Sequence, residues 1–354
     1  MNYIIFDLEW NQGGEGEEQL TDVLPFEVIE IGAIKCNDRK DEVERFHRLI
    51  KPTVYHKLHY VTKKMLGISM EELEQEAFFP EVIQDFLDWC GEDMIFCTWG
   101  PLDLLELQRN IRYHGLMEQW KANPKIPFFK GPLEYLDVQK LFSLQYEDKH
   151  SRRNLEYAVD FLGIPKDMPF HRALDDAYYT AKVLARITNH DVEAHVSFDC
   201  FCLPINRKTE LHRQFSDYHK YISREFTDKQ EAMADKEVVS TKCYLCNKNL
   251  RKKIRWFSPN GKHFLSIAYC EKHGFVKSKI RMKKSENGCV YVVKTTRFVT
   301  EEDVLEIRQK QEKAKQQKLL HKKMEEERLK NAGEIQKKPK KKKLKKKHNS
   351  TDPS

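Results

Sequence analysis

The stretch Met1-Asn-Tyr-Ile-Ile-Phe-Asp-Leu-Glu-Trp10 decides how the rest of the chain is read. Tyr3, Ile4, Ile5 and Phe6 make the short apolar run of a buried strand. Asp7 and Glu9 then interrupt it with two carboxylates. Strand positions two apart face the same way, so Asp7 and Glu9 stand side by side and Leu8 faces away. Adjacent carboxylates repel, and burial adds to that cost. A cation between them relieves it; a solvated strand end with two wet acids is the alternative.

The whole chain sets bounds on this choice. Its 354 residues leave room for two or three domains. A charged fraction of 33% and a mean hydropathy of −0.71 suit a soluble protein with a core and polar appendages. No run of about 18 apolar residues exists, so no membrane partner is expected. The N-terminus enters a strand without a basic-then-apolar leader, which predicts a cytoplasmic protein. The nine cysteines are an odd number, and Cys36, Cys90 and Cys97 sit among apolar residues. That suits a reducing compartment, with metal binding favoured over disulfides for clustered pairs. Charge is divided unevenly. Residues 1–190 hold 33 acids and 22 bases, a net of −11, and residues 191–354 hold 22 and 40, a net of +18. A polyanionic ligand would owe much of its long-range attraction to the second half.

Outward from the first strand, residues 11–18 form a glycine-rich acidic loop, and Phe26–Cys36 and Val43–Ile50 read as two further strands of a meander. Pro80–Cys90 has helical spacing. Asp93–Trp99 is a short strand, and Gly100-Pro101 opens a helix that runs to about His114. Leu133–Phe142 holds a strand or a helix, and Asn154–Leu162 and Ala173–Ile187 are helices. Together these predict an α/β domain over residues 1–190. Residues 191–240 carry Phe215, Tyr218, Tyr221 and Phe226 at helical spacing and read as a helical linker. A compact cysteine-bearing module follows at 241–296, then a charged helix and a lysine-rich disordered tail at 297–354.

Two later stretches give the acidic pair company. Trp99-Gly-Pro-Leu-Asp103 places Asp103 in the first turn of a helix, where the macrodipole alone would favour it. His171-Arg-Ala-Leu-Asp-Asp176 puts His171 in a loop and Asp176 in the first turn of the last helix, with Asp175 about 100° round the axis.

FDLEW, TWGPLD and HRALDDA together resemble the three motifs of the DEDDh superfamily of 3′→5′ exonucleases, the DnaQ and ribonuclease T type. The branch of the histone-mRNA 3′ exonuclease and the KapD-type sporulation inhibitor looks most similar. Val28-Ile-Glu-Ile-Gly-Ala33, Leu66-Gly-Ile68 and Leu155-Glu-Tyr-Ala158 are smaller echoes. The resemblance spans residues 1 to about 190 and implies a ribonuclease H-like fold, a mixed five-stranded sheet with flanking helices. It implies catalysis by Asp7, Glu9, Asp103, Asp176 and His171, with Asp175 left out. It also implies two Mg²⁺ or Mn²⁺ ions about 4 Å apart, because hard oxygen ligands select such cations and two of them stabilise the attacking and leaving oxygens. Asp7 would bridge them, Glu9 and Asp176 would complete one site, and Asp103 would support the other. His171, with an ordinary imidazole pKa of about 6.5, would take the proton of the attacking water. The products would be nucleoside 5′-monophosphates. Leu8, Trp10 and Trp99 are candidate contacts to the terminal bases, with core packing the competing role for Leu8 and Trp99.

Cys243-Tyr-Leu-Cys246 and Cys270-Glu-Lys-His273 supply the ligands of a tetrahedral Cys₃His zinc site. Cys289 is the substitute if His273 is not used. Asn260-Gly261 between the pairs signals a hairpin, so the module reads as zinc-ribbon-like with one structural Zn²⁺. Basic residues surround both pairs: Lys248, Arg251, Lys252, Lys253 and Arg255 near the first, and Lys277, Lys279, Arg281, Lys283 and Lys284 after the second. They suit a nucleic-acid grip. The lysine run Lys337–Lys347 is a salt-sensitive phosphate binder or, in a eukaryotic cell, a nuclear import signal. The expectation is therefore an exonuclease that prefers RNA and acts on single-stranded 3′ ends, with a ribosome or a regulatory protein as a further candidate partner. A binding or regulatory protein on the same fold, and a DNA repair or proofreading exonuclease, are the alternatives.

Overall fold

In the computed structural model, residues 1–14, 16–121, 123 and 128–331 are described. The lysine run Lys337–Lys347 lies outside them. The first part of the chain forms β1 (Asn2–Asn11), α1 (Glu18–Val23), β2 (Glu27–Cys36), β3 (Glu42–Leu49), α2 (Tyr60–Leu66), α3 (Met70–Leu73), α4 (Phe79–Cys90) and β4 (Met94–Thr98). It continues with α5 (Leu102–Tyr113), α6 (Met117–Lys121), β5 (Leu133–Asp137), α7 (Val138–Tyr146), α8 (Leu155–Phe161), α9 (Ala173–Arg186), α10 (Asn189–Ala194) and β6 (Ser197–Asp199).

The first sheet has the order β3-β2-β1-β4-β5-β6. β1 is antiparallel to β2 and parallel to β4, and β5 continues the parallel run. The expected five-stranded mixed sheet is thus present, and β6 adds an antiparallel sixth strand at its edge. The period of two sorts β1 between two cores. Ile4, Phe6 and Leu8 pack with residues of α4 and α5, and Tyr3 and Ile5 pack with residues of α7, α8 and α9. Asp7 and Glu9 continue the odd series, so they face the layer that contains α9. Residues 133–142, open between strand and helix in the sequence, are both: β5 ends at Asp137, whose side chain caps α7 by accepting the Lys140 N–H at 2.8 Å.

Residues 191–240 are not a helical linker. They contain β6, β7 (Leu211–Gln214) and β8 (Tyr218–Ile222) before two short helices, α11 (Lys229–Ala234) and α12 (Lys236–Val239). The aromatic spacing reflects a hairpin. The Phe215 N–H donates to the Tyr218 carbonyl at 2.8 Å, and the two rings stack at 4.4 Å. Four strands follow: β9 (Arg251–Phe257), β10 (His263–Cys270), β11 (Gly274–Lys284) and β12 (Val290–Val299). They join β7 and β8 in one antiparallel sheet of order β7-β8-β12-β11-β10-β9. A boundary at 240/241 therefore cuts through a sheet. The hairpin signalled by Asn260-Gly261 joins β9 to β10, with Gly261 at φ 74°.

The second sheet rests against the edge of the first. Phe198 of β6 meets the Phe215 ring edge-on at 6.3 Å, and the Lys220 ammonium lies 4.6 Å from its ring centre. Glu286, in the β11–β12 turn, receives Arg109 at 3.0 Å and Arg112 at 3.4 Å from α5. The last helix, α13 (Glu301–Asn331), buries only Val304, Ile307 and Ala314 among its described side chains, as its sparse apolar content dictates. Among the described residues no helix is long and apolar enough to cross a membrane.

Candidate active site

Asp7 and Glu9 lie near the end of β1, and Asp7 stands opposite Gly32 of β2. That glycine sets the approach of α9. A Cβ built on Gly32 would fall 2.0 Å from the Leu174 nitrogen and 2.2 Å from the Ala173 carbonyl carbon. Only a residue without a side chain lets the first turn of α9 touch the sheet here. Asp176 comes with that turn. One carboxylate oxygen from each of Asp7, Glu9 and Asp176 lies within 4.8 Å of the others. The β1–β2 register shifts between Glu9 and Trp10, a bulge of the kind that re-aims side chains beside a site.

Asp103 enters from the opposite layer. Gly100, at φ 99°, turns the chain from β4 into α5 and leaves Asp103 in the first turn. Its carboxylate is buried and accepts the backbone N–H of Leu8 and its own. Asp103 lies outside the three-acid cluster, but its charge bears on Asp7 and Glu9. All four carboxyls are held above the ordinary range. Burial is the largest cause for each, and the neighbouring carboxylates add to it. Asp7 is raised well above normal, Glu9 to about 8, Asp103 to about 7 and Asp176 to about 6.

One oxygen of Asp176, Oδ1, is buried without a hydrogen-bond partner. Buried polar atoms in folded proteins are nearly always satisfied. A crowd of carboxylates that resist ionisation, one with a stranded oxygen, fits a divalent cation: a hard ion takes oxygen ligands and removes the repulsion.

His171 is exposed, in the loop before α9, with φ 69°. A β-carbon residue rarely adopts this conformation, and such outliers concentrate at functional sites. Its N–H donates to the Asp176 carboxylate, so the turn ties the histidine to the cluster. Asp175 is buried on another side, where the charges of Arg172, Glu30, His47 and Arg45 act on it.

Glu30 escapes a reading by motif spacing. It faces Glu9 across the β1–β2 pair and is fully buried. Its carboxylate receives His47 Nε2 at 2.8 Å and Arg172 Nε at 3.1 Å. Arg172 is the N-cap residue of α9, so this ion pair fastens the start of that helix to the sheet. The available signal is an acid flanked on both sides by isoleucine in a buried strand.

The candidate base contacts separate. Leu8 is 2% exposed and packs in the core, and its contribution to the site is its N–H on Asp103. Core packing is thus its role, because it lies on the even face of β1. Trp10 is half-buried against Phe26 at 5.3 Å. Trp99 is half-buried near Phe142 and donates its Nε1–H to the Arg153 carbonyl at 3.2 Å.

A second cluster lies in the antiparallel sheet. Cys243, Cys246, Cys270 and His273 bring their ligand atoms within 4.8 Å of one another. Cys243 Sγ is 3.3 Å from His273 Nδ1, and Cys246 Sγ is 3.7 Å from Cys270 Sγ. Burial pushes the Cys270 thiol up, but the amides of Lys272 and His273 and the side chains of His273 and Cys246 outweigh it and bring it down to about 6. The amides of Cys246 and Leu245 point likewise at Cys243, although burial keeps that thiol raised. Turns that aim amides at sulfur prepare thiolates for a metal. Cys289 is outside this cluster, in the turn just before β12.

The family model described as Exonuclease, of the RNase_T type, matches residues 4–184. The "DNA polymerase III PolC-type" of Thermotoga petrophila is 30% identical over 162 residues, covering 45% of this chain and 10% of the polymerase. The "3'-5' exoribonuclease 1" of Rattus norvegicus is 20% identical over 185 residues, covering 48% of this chain and 49% of that protein. The chain thus spans a tenth to a half of these relatives. Among solved structures, the nuclease domain of 3'hExo, described as a DEDDh family member bound to rAMP, aligns over 52% of this chain and 90% of its own. The TM-score is 0.43 and the identity 18%. With its family model matched across half of the sequence, this chain belongs to the exonuclease family of the RNase_T type.

Proposed function

We propose that the protein is a metal-dependent 3′→5′ exonuclease that releases nucleoside 5′-monophosphates from single-stranded RNA. The observation that carries this is the convergence of Asp7, Glu9 and Asp176 within 4.8 Å, with Asp176 Oδ1 buried and unpartnered. Glu9 and Asp176 would hold one Mg²⁺ or Mn²⁺, Asp7 would be shared with a second, and Asp103 would support the second through water. When bound, these ions supply a lowered pKa for water and charge stabilisation on both the entering and leaving oxygens. His171, exposed and tethered to Asp176 through its backbone, accepts the proton of the attacking water. Leu8 and Arg172 act one step back: the first holds Asp103 by its amide, and the second braces α9 through Glu30. Trp10, half-buried beside Glu9, is the aromatic candidate to stack on the terminal base.

RNA is supported by the exoribonuclease relatives and DNA by the PolC-type relatives, which have the higher identity. The Cys243, Cys246, Cys270 and His273 cluster holds one structural Zn²⁺ in this reading. A purely regulatory scaffold is disfavoured because all five expected catalytic positions keep their residue types. The test is turnover of labelled RNA and DNA oligonucleotides by the wild type, Asp7→Ala and His171→Ala with Mg²⁺ or Mn²⁺. Loss of turnover in both variants, with unchanged circular dichroism, supports the assignment. Wild-type turnover in either sinks it.

A further inference from the structure

The second sheet carries a row of cations held, among the described residues, in no ion pair, with Asp303 and Glu306 of α13 acting at a distance on Lys277 and not on Lys279. Alternation along β11 sends Val276, Ser278 and Ile280 inward and leaves Lys277, Lys279, Arg281 and Lys283 on the other face. The register extends that face across two neighbouring strands. Lys277 stands opposite Arg297 of β12, and Lys279 stands opposite Thr295, which in turn faces Lys220 of β8. Like charges directly opposite in a sheet are destabilising. Among the described residues none of these six cations forms an ion pair with a carboxylate. Burial, and then repulsion from Arg281, Lys277 and Arg297, pulls the Lys279 ammonium down.

The strip has two walls. On one side α13 packs Val304 and Ile307 against Ile254 and Ile267, covering the β9–β10 end of the same face. On the other, Lys220 lies against Phe198 of the nuclease sheet. The basic track continues there. Lys140 bears electrostatically on Lys220, and Arg152 on Lys140. The next residue, Arg153, offers its carbonyl to Trp99, which precedes the turn into Asp103.

We propose that this face of the second sheet, built from Lys220, Lys277, Lys279, Arg281, Lys283 and Arg297, binds the phosphate backbone of the single strand whose 3′ end occupies the nuclease site. The inference rests on the exonuclease reading for the path of the strand, and on the sheet register alone for the surface. A polyphosphate is the occupant that suits it, since the face offers a row of unpaired cations. Single strands are gripped by such grooves over roughly 4–16 nucleotides per module. The basic residues of β9 are left out of this surface: Lys252 and Arg255 line the opposite face with Met233 and Trp256, and α13 lies over Ile254 between β9 and the strip.

The test uses the full chain with Lys279→Gln and Arg281→Gln combined. Both changes relieve repulsion, so folding is preserved; Arg297→Gln serves as an independent second variant. Affinity for a fluorescent oligonucleotide of about 20 residues is measured against salt in an Asp7→Asn background, and turnover of a dinucleotide in the otherwise wild-type background. The double variant is expected to bind the long strand at least tenfold more weakly. Its slope of log K against log salt should fall by about 1.4, or about 0.7 per lost phosphate contact, with dinucleotide turnover unchanged. Unaltered affinity and slope in the folded variants would overturn the proposal, as would wild-type binding of poly-glutamate as tightly as of the oligonucleotide. Face-dependent binding with no turnover by the wild type would keep the surface and overturn the nuclease reading.

Discussion

Gly32→Ala tests whether the approach of α9 makes the site. The substitution touches no candidate metal ligand and no titratable group. It adds one methyl group, placed 2.0 Å from a backbone nitrogen of Leu174 where ordinary contact begins at 3.4 Å. Backbone cannot rotate aside as a side chain does, so the start of α9 must retreat by about 1.4 Å, the difference between those two distances. Asp176 and the His171 amide that donates to it move with it. A misplacement of about 1 Å at reacting groups costs on the order of 100-fold in rate, so kcat should fall by about that factor or more. Overpacking of this kind costs roughly 1–3 kcal/mol. At roughly 2–4 °C per kcal/mol for a domain of this size, melting should drop by roughly 2–12 °C. Gly14→Ala is the control: its Cβ would meet nothing nearer than 3.8 Å, and both quantities should stay put. Steady-state turnover of an oligonucleotide and a thermal melt measure the two effects. Wild-type turnover and melting in Gly32→Ala would refute the reasoning.

The raised carboxyls give a pH signature. Glu9 at about 8, Asp103 at about 7 and Asp176 at about 6 keep protons that the unfolded chain, with values of about 4, has lost. Their contribution to stability is full below about pH 4 and is lost as pH rises through 6 to 8. Metal-free protein should therefore melt lower at pH 8 than at pH 5, and Mn²⁺ should raise melting more at pH 8; equal Mn²⁺ shifts at both values would contradict this. His171→Ala should lower kcat by about 10²- to 10⁴-fold without weakening Mn²⁺ binding measured by calorimetry, and a large loss of Mn²⁺ affinity would make it a ligand instead. Metal analysis should find one zinc per chain, absent in Cys243→Ser and kept in Cys289→Ser; retention in the first or loss in the second would reassign the site.

The site was largely legible because its parts obey local periodicities. A period of two brought Asp7 and Glu9 to one face, and the first turns of α5 and α9 carry Asp103 and Asp176. Glu30 was hidden because its role depends on pairing with Glu9 and Arg172, contacts 21 and 142 residues away in sequence. Strand β6 was hidden by its length, three residues being too few to show a period. The sequence of β7 and β8 mimics a helix because Phe215 and Tyr218, three apart, meet across a hairpin as readily as along a helix. The cysteine pairs were plain from spacing, but the sheet they belong to was not. Its first two strands precede them in sequence, and the second of these, β8, pairs with β12, which follows them.

The most direct measurement follows the fate of a 5′-labelled single-stranded RNA incubated with the full chain and Mn²⁺. The carboxylate cluster predicts a ladder that shortens one nucleotide at a time from the 3′ end, nucleoside 5′-monophosphates as the released product, and no shortening when the metal is chelated. Internal fragments, nucleoside 3′-monophosphates or equal cleavage in the presence of chelator would contradict it.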